Sequence, residues 1–96
     1  MSKESMPHRI QVFSGGCKLC EEAAEIVEIG KCKDCRMEVL SIDGRKTKPL
    51  MKRYSIGAVP SIVIDGKIKV VGIPTFPWLC GDGFYEMLER RYPLGK

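Results

Sequence analysis

The spacing of apolar residues changes along the first third of the chain from that of a strand to that of a helix. Residues 9–14 (RIQVFS) place apolar side chains close to every second position, which predicts a central strand. From Leu19 onward, apolar residues fall at positions 19, 23, 26, 27 and 30, and glutamates take the opposite face. That spacing is typical of an amphipathic helix, and Gly30 marks its expected end.

The middle of the chain predicts a second strand followed by a second helix. Residues 36–43 (RMEVLSID) carry apolar side chains at strand spacing. A helix is expected over residues 46–54. We expect its regular part to follow Pro49, because proline has no backbone N–H and cannot sit in a helix interior.

The last third predicts a hairpin and a final helix. Residues 61–71 (SIVIDGKIKVV) contain two β-branched runs joined by Asp65-Gly66, a dipeptide that favours a two-residue turn with positive φ at both positions. Phe84, Met87 and Leu88 then fall at helical spacing, and Pro93 lies just past the expected helix end.

The resulting order is βαβαββα, which predicts an α/β fold in one domain spanning residues 1–96. A strand–helix–strand unit makes two parallel strands, and the hairpin adds two antiparallel ones. We therefore expect a four-stranded mixed sheet with helices on both faces. Ligands of such sheets gather at the carboxyl ends of the parallel strands. Gly15, Gly16 and Cys17 directly follow the first strand and should lie at that edge.

Composition and charge narrow the class of function. The chain is 44% hydrophobic and 29% charged, with neither an apolar run long enough for a membrane span nor a signal-peptide pattern at its start. We therefore expect a cytoplasmic protein, with no membrane partner. The net charge of +4 comes partly from residues 44–53 (GRKTKPLMKR), which lack interleaved aromatics. That stretch favours a solvated helix face, or else a weak site for an anion or acidic partner, over nucleic-acid binding.

Cys17 and Cys20 form a Cys-x-x-Cys pair that could be a redox couple, two metal ligands or a structural disulfide. Five cysteines is an odd number, and most cytoplasmic thiols stay reduced, which disfavours a permanent disulfide. Cys17 would lie at a helix N-terminus, where free backbone N–H groups favour a thiolate. If the pair is a redox couple, Cys17 attacks the substrate disulfide, and Cys20, one turn into the helix, resolves the mixed disulfide.

Cys32 and Cys35 form a second Cys-x-x-Cys pair, in the loop between the first helix and the second strand. It could be an incidental or structural thiol pair, a second disulfide or a metal site. A helix between the two pairs would hold them about 18 Å apart. The thiolates of one zinc ion lie within about 4 Å of one another, so we predict that the pairs do not share a metal within a monomer.

Four other side chains carry possible chemistry, and a structural or incidental role is the better expectation for each. Cys80 is expected to be a small buried hydrophobe. His8 is expected to be exposed and without function. Trp78, together with Phe76, is expected to cap the core.

Five short motifs together resemble the thioredoxin and glutaredoxin superfamily. They are Cys-Lys-Leu-Cys at 17–20, Tyr-x-Ile at 54–56, Val-Pro-Ser at 59–61, the Asp-Gly-Lys hairpin at 65–67, and Gly72. The likeness covers about residues 9–91 and is nearest to the small glutaredoxin-like thioredoxins of prokaryotes. Classical thioredoxins, however, have a buried acid six residues before the attacking cysteine, where this chain has Gln11.

The resemblance implies a thioredoxin-like fold and the activity of a thiol–disulfide oxidoreductase without a cofactor. It implies that the Val59–Pro60 bond is cis and faces the dithiol, and that Val59 and Pro60 contribute to substrate binding. We also expect Gly16, next to Cys17, to contribute to substrate binding. The implied partners are disulfide-bearing proteins and an electron-donating reductase or glutathione. We expect the protein to be a monomer. The alternative function is a thioredoxin-fold module that binds zinc or an iron–sulfur cluster.

Overall fold

The computed structural model describes residues 8–31, 35–74, 78 and 82–94. The described elements follow the predicted order βαβαββα. They are β1 (Arg9–Ser14), α1 (Lys18–Gly30), β2 (Arg36–Ser41), α2 (Thr47–Arg53), β3 (Ser61–Ile64), β4 (Ile68–Val71) and α3 (Asp82–Arg91).

The four strands form one mixed sheet in the order β2-β1-β3-β4. β1 and β2 are parallel, and the other two pairings are antiparallel. In this register Phe13 pairs with Ser61, so the end of β1 lies beside the start of β3. The segments that follow β1 and precede β3 therefore meet at one edge of the sheet.

Both faces of the sheet are covered, as the sequence predicted. On one face, Ile10 and Val12 pack with Val27 of α1 and Leu88 of α3 in a single buried cluster. On the other face, the ring of Phe13 meets the ring of Tyr54, directly after α2, edge to face at 6.4 Å. Because β1 is covered on both sides, four consecutive residues of this six-residue strand are buried.

Two details of the helices differ from the predictions. α2 begins at Thr47, so Pro49 lies inside the helix. It is tolerated because the first four N–H groups of a helix have no intrahelical partner. Leu19 was expected on the buried face of α1, but it is 54% exposed, and Cys20, Ala23 and Val27 are the buried residues. Leu19 lies in the first turn of α1 and on the flank of its buried face.

The β3–β4 connection lies where the sequence predicted a turn, but it is one residue longer than Asp65-Gly66, because Ile64 pairs with Ile68 and Lys67 lies between them. Asp65 and Gly66 have φ values of 53° and 67°, as the turn requires. The Asp65 carboxylate also accepts a hydrogen bond from the backbone N–H of Arg9 at 2.8 Å, which ties the turn to the start of β1. Among the described helices, none has the length and apolar composition needed to cross a bilayer.

Candidate active site

The connection from β1 to α1 is short and held by side-chain hydrogen bonds. Gly16 has a φ of +80°, a conformation that favours glycine, and its N–H donates to the Ser14 hydroxyl oxygen at 3.0 Å. Cys17 then takes the N-cap position of α1 with extended backbone. Its sulfur accepts the N–H of Cys20 at 3.3 Å, which satisfies one of the unpaired donors of the first turn.

The two sulfurs of this Cys-x-x-Cys pair are in contact but differ in access. The Sγ atoms of Cys17 and Cys20 lie 2.7 Å apart. Cys17 is exposed to solvent, whereas Cys20 is fully buried beneath it. Only Cys17 can therefore meet a large substrate, and Cys20 can reach only a sulfur that is already bonded to, or close to, Cys17.

Hydrogen bonds at the site favour a thiolate. Burial opposes ionisation of the Cys20 thiol, but hydrogen bonds from the Cys17 side chain, the Gly15 and Cys17 backbone and the Ser14 hydroxyl outweigh it, so the pKa of Cys20 is lowered. The Gly15 N–H donates to the Cys20 sulfur at 3.3 Å. The Cys20 thiolate is thus favoured as the resolving group, while access leaves Cys17 as the sulfur that a substrate can meet.

The segment before β3 packs directly against this connection. A Cβ atom at Gly15 would lie 3.2 Å from Cγ2 of Val59 and 3.4 Å from Cδ1 of Ile42. Gly15 is thus held between the segment before β3 and the segment after β2. The Val59–Pro60 peptide bond is cis, and Pro60 is buried while Val59 is half-buried.

Val59 has backbone groups that the described residues leave unpaired. The carbonyl of Pro60 accepts the N–H of Gly72 at 2.7 Å, and the carbonyl of Ala58 accepts the Ser61 hydroxyl at 2.6 Å. Val59 lies between Ala58 and Pro60, and within the described ranges neither its N–H nor its C=O forms a hydrogen bond. These groups could pair with an extended peptide laid along the edge.

The structure brings the sequence-predicted site residues to the same edge of the sheet. Gly16, Cys17 and Cys20 belong to the β1–α1 connection, and Val59 and Pro60 belong to the segment that touches it at Gly15. Sequence reasoning placed Gly15 at this edge without giving it a role, and it missed Ser14. A Ser-Gly-Gly run directly before a Cys-x-x-Cys pair was the available signal, since both residue types favour tight turns.

Gln11 occupies the position of the buried acid of classical thioredoxins. It is 4% exposed, and its Nε2 lies 3.5 Å from the Glu38 carboxylate, a long contact. In this protein the described hydrogen bonds to the Cys20 sulfur come instead from Ser14, Gly15 and Cys17.

Cys35 lies far from the dithiol. It directly precedes β2 at the opposite end of the sheet, is 6% exposed, and has its sulfur 3.9 Å from the Tyr85 hydroxyl. Its sequence partner Cys32 lies outside the described residues, as do Cys80 and Phe76. The described ranges contain no group of three or more potential metal ligands. Trp78 is 3% exposed and belongs to the core cluster.

His8 has a structural role, contrary to the expectation of an exposed imidazole. Its ring stacks on the ring of Tyr85 at 3.8 Å, and its Nδ1 lies 2.6 Å from the Asp65 carboxylate. It thus links the start of β1, the hairpin and α3. The sequence held no local sign of this role, because the partners lie 57 and 77 positions away.

Comparison with known proteins places this site in a family. A curated protein of Acidithiobacillus ferrooxidans, described as an uncharacterized 9.0 kDa protein in mobE 3'region, is 27% identical over 60 residues, which are 62% of this chain and 71% of that protein. The family model described as "Thioredoxin domain" matches residues 8–76, which include the dithiol and Val59–Pro60. Because this match covers well over half of the chain, the protein belongs to the thioredoxin domain family.

Proposed function

We propose that the protein is a thiol–disulfide oxidoreductase that reduces protein disulfides or passes electrons to a partner enzyme. The observation that carries the proposal is the dithiol itself: an exposed Cys17 sulfur at a helix start, 2.7 Å from the buried sulfur of Cys20. An exposed thiol with a second thiol in contact is the arrangement that two-step disulfide exchange requires.

The reaction is a two-electron exchange. The Cys17 thiolate attacks one sulfur of the substrate disulfide, the substrate S–S bond breaks, and the departing sulfur takes a proton. The Cys20 thiolate then attacks Cys17, which releases the second substrate sulfur and leaves a Cys17–Cys20 disulfide. The substrate gains two electrons and two protons, and an electron-donating reductase or glutathione returns both to the protein.

Substrate binding is assigned to the segment beside the dithiol. The N–H and C=O of Val59, which no described residue engages, can pair with an extended peptide as an added strand, and Pro60 shapes this segment. Gly16, exposed and without a side chain, leaves room for the substrate backbone next to Cys17. We propose that the protein acts as a monomer in the cytoplasm on disulfide-bearing proteins.

Trapping the mixed disulfide tests the proposal. The Cys20→Ser variant should accumulate a covalent adduct with a disulfide-bearing protein such as insulin, whereas Cys17→Ser should form none. The unmodified protein should catalyse insulin reduction with dithiothreitol as the electron source. Absence of both turnover and adduct would refute the proposal. Stoichiometric zinc or a visible cluster absorption band in anaerobically purified protein would favour the metal-binding alternative.

The electron donor is identified by a parallel assay. Turnover is compared with NADPH and a thioredoxin reductase, and with NADPH, glutathione and glutathione reductase. Faster turnover with one system identifies the donor. The assay is informative only after turnover with dithiothreitol has been established, so a failed donor is distinguished from an inactive dithiol.

A further inference from the structure

The outer edge of β2 carries backbone hydrogen-bonding groups that are open to a partner. The N–H of Arg36 donates to His8 and that of Ile42 to Ser14, so residues at even positions of β2 point their N–H and C=O groups toward β1. The odd positions, Met37 and Val39, therefore point these groups outward. No described strand pairs with this edge.

A groove runs between this edge and α1. Its volume is about 420 Å³. The apolar floor contains Met37 and Val39, whose side chains lie on the face of the sheet that α1 covers, and Ala24 of α1 itself. Val39 is 56% exposed, a high value for a valine in a strand. The groove thus joins an apolar floor to an open strand edge.

The wall of the groove is acidic. Glu21, Glu22, Glu25 and Glu28 line it, against the single cation of Lys18. Glu21 and Glu25 lie about 6 Å apart along the helix axis. Alternate residues of a strand lie about 6.6 Å apart. In a strand added to β2, every second side chain would therefore face this row of carboxylates, and the spacing of these side chains would be close to that of the glutamates.

We propose that the β2 edge and the α1 glutamates bind an extended segment of a partner protein with lysine or arginine at alternate positions. Its backbone pairs with the outward groups of Met37 and Val39. The apolar stems of the basic side chains cover Val39, and their charged ends reach the glutamates. Cys17 and Cys20 do not line the groove, so this binding stands apart from the redox reaction.

A second copy of the chain fits this edge poorly. Two β2 strands paired about a twofold axis would bring two copies of the α1 glutamate row onto the same side of the joined sheet. The two rows of carboxylates would repel each other and oppose this pairing. The charge of the wall therefore selects a basic partner.

The test uses an acetylated and amidated heptapeptide with lysine at every second position and valine between. Binding is measured by NMR titration of the full chain, with a second peptide that has glutamate in place of each lysine. We expect the lysine peptide to bind, to slow hydrogen exchange at the Met37 and Val39 amides, and to bind more weakly as salt is raised. The glutamate peptide should not bind.

Two pairs of variants separate backbone pairing from charge. Val39→Pro removes an outward N–H without removing a β1–β2 hydrogen bond, and should abolish binding, while Val39→Thr should retain it. Glu25→Lys with Glu28→Lys should weaken binding about tenfold or more. Glu86→Lys with Glu89→Lys makes the same charge change at the same spacing on α3, and should leave binding within about twofold.

Several outcomes would overturn the proposal. These are equal binding of the two peptides, equal effects of the α1 and α3 charge variants, or shifts confined to residues outside β2 and α1. Slow exchange at Met37 and Val39 without peptide would mean that another part of the chain, or a second copy, already covers the edge. Should Val39→Pro fail to fold, the charge variants still decide.

Discussion

Ser14 and Ser41 are register partners at the ends of the parallel strands β1 and β2, and each hydroxyl oxygen accepts the backbone N–H two residues ahead. The two turns differ in what lies next to them. The Ser14 hydroxyl also hydrogen-bonds the sulfur of Cys20, whereas Ser41 lies beside an exposed turn. Ser41 is therefore a built-in control for Ser14.

Removing the Ser14 hydroxyl should change the pH dependence of the dithiol. The lowered pKa of Cys20 means that thiolate is present above a midpoint that lies below the ordinary value of 9.0. The ultraviolet absorbance of the thiolate in the reduced protein, followed as pH is lowered, measures that midpoint. Ser14→Ala removes a hydrogen bond that lowers the pKa, so its midpoint should move to higher pH. Ser41→Ala should leave it unchanged, and equal shifts would contradict the assignment.

The same pKa makes the stability of the reduced protein depend on pH. A thiol whose pKa is lower in the folded than in the unfolded state stabilises the folded protein at pH values above the unfolded-state pKa. This stabilisation is lost as pH falls through the folded-state pKa. The reduced protein should therefore lose stability as pH falls from about 9 through the folded-state midpoint. Denaturant unfolding measures this. Cys20→Ala should remove that part of the pH dependence.

Cys17 should react before Cys20. Cys17 is exposed and Cys20 is fully buried, so a soluble alkylating reagent reaches only the first sulfur. Limited iodoacetamide treatment of the reduced protein at neutral pH, followed by mass spectrometry of peptides, should find the label on Cys17. Preferential labelling of Cys20 would reverse the assigned roles of attacking and resolving thiol.

In the protein without substrate, Gly16 should matter for its backbone conformation rather than for space. A Cβ atom there would meet nothing within 4 Å, but φ is +80°. Gly16→Ala should therefore lower the free energy of unfolding by about 1 kcal/mol and slow labelling of Cys17. Gly57→Ala is the control, because Gly57 also has open space around it but no positive φ. Similar losses for the two variants would show that φ is not the cause.

The elements of the fold were predictable because their apolar spacing is local. The alternation in β1 and the Asp65-Gly66 turn both depend on neighbouring residues. β1 was predicted with the bounds that the structure has, and the turn was placed correctly but is one residue longer. The exposure of Val39 was not predictable, because apolar spacing does not say which strand forms an edge. The Ser14 hydrogen bond to Cys20 likewise depends on how the β1–α1 connection folds, which residue spacing does not reveal.

Gly30 illustrates the same limit and gives a further prediction. The sequence predicted that α1 ends at Gly30, and it does. The close approach at this residue was not predictable: a Cβ atom at Gly30 would lie 1.6 Å from the Trp78 carbonyl oxygen. Gly30→Ala should lower the free energy of unfolding by about 1–3 kcal/mol or more. Gly83→Ala, in the open first turn of α3, should be neutral or stabilise by up to about 1 kcal/mol. Thermal unfolding of the reduced proteins measures both, and a neutral Gly30→Ala would rule out the close approach.

Cys35 should be dispensable for disulfide reduction. It precedes β2 at the end of the sheet opposite the dithiol, and the thirteen residues of α1 span about 20 Å between the two sites. Cys35→Ala should lower the free energy of unfolding by about 1 kcal/mol, since it empties part of a buried position beside Tyr85. Turnover with a disulfide-bearing protein should stay within about twofold, because substitutions at this distance act independently. Cys20→Ala is the matched control: it also removes a buried thiol, yet it should abolish turnover. Loss of turnover in a well-folded Cys35→Ala protein would assign Cys35 to the reaction and contradict a chemistry confined to Cys17 and Cys20.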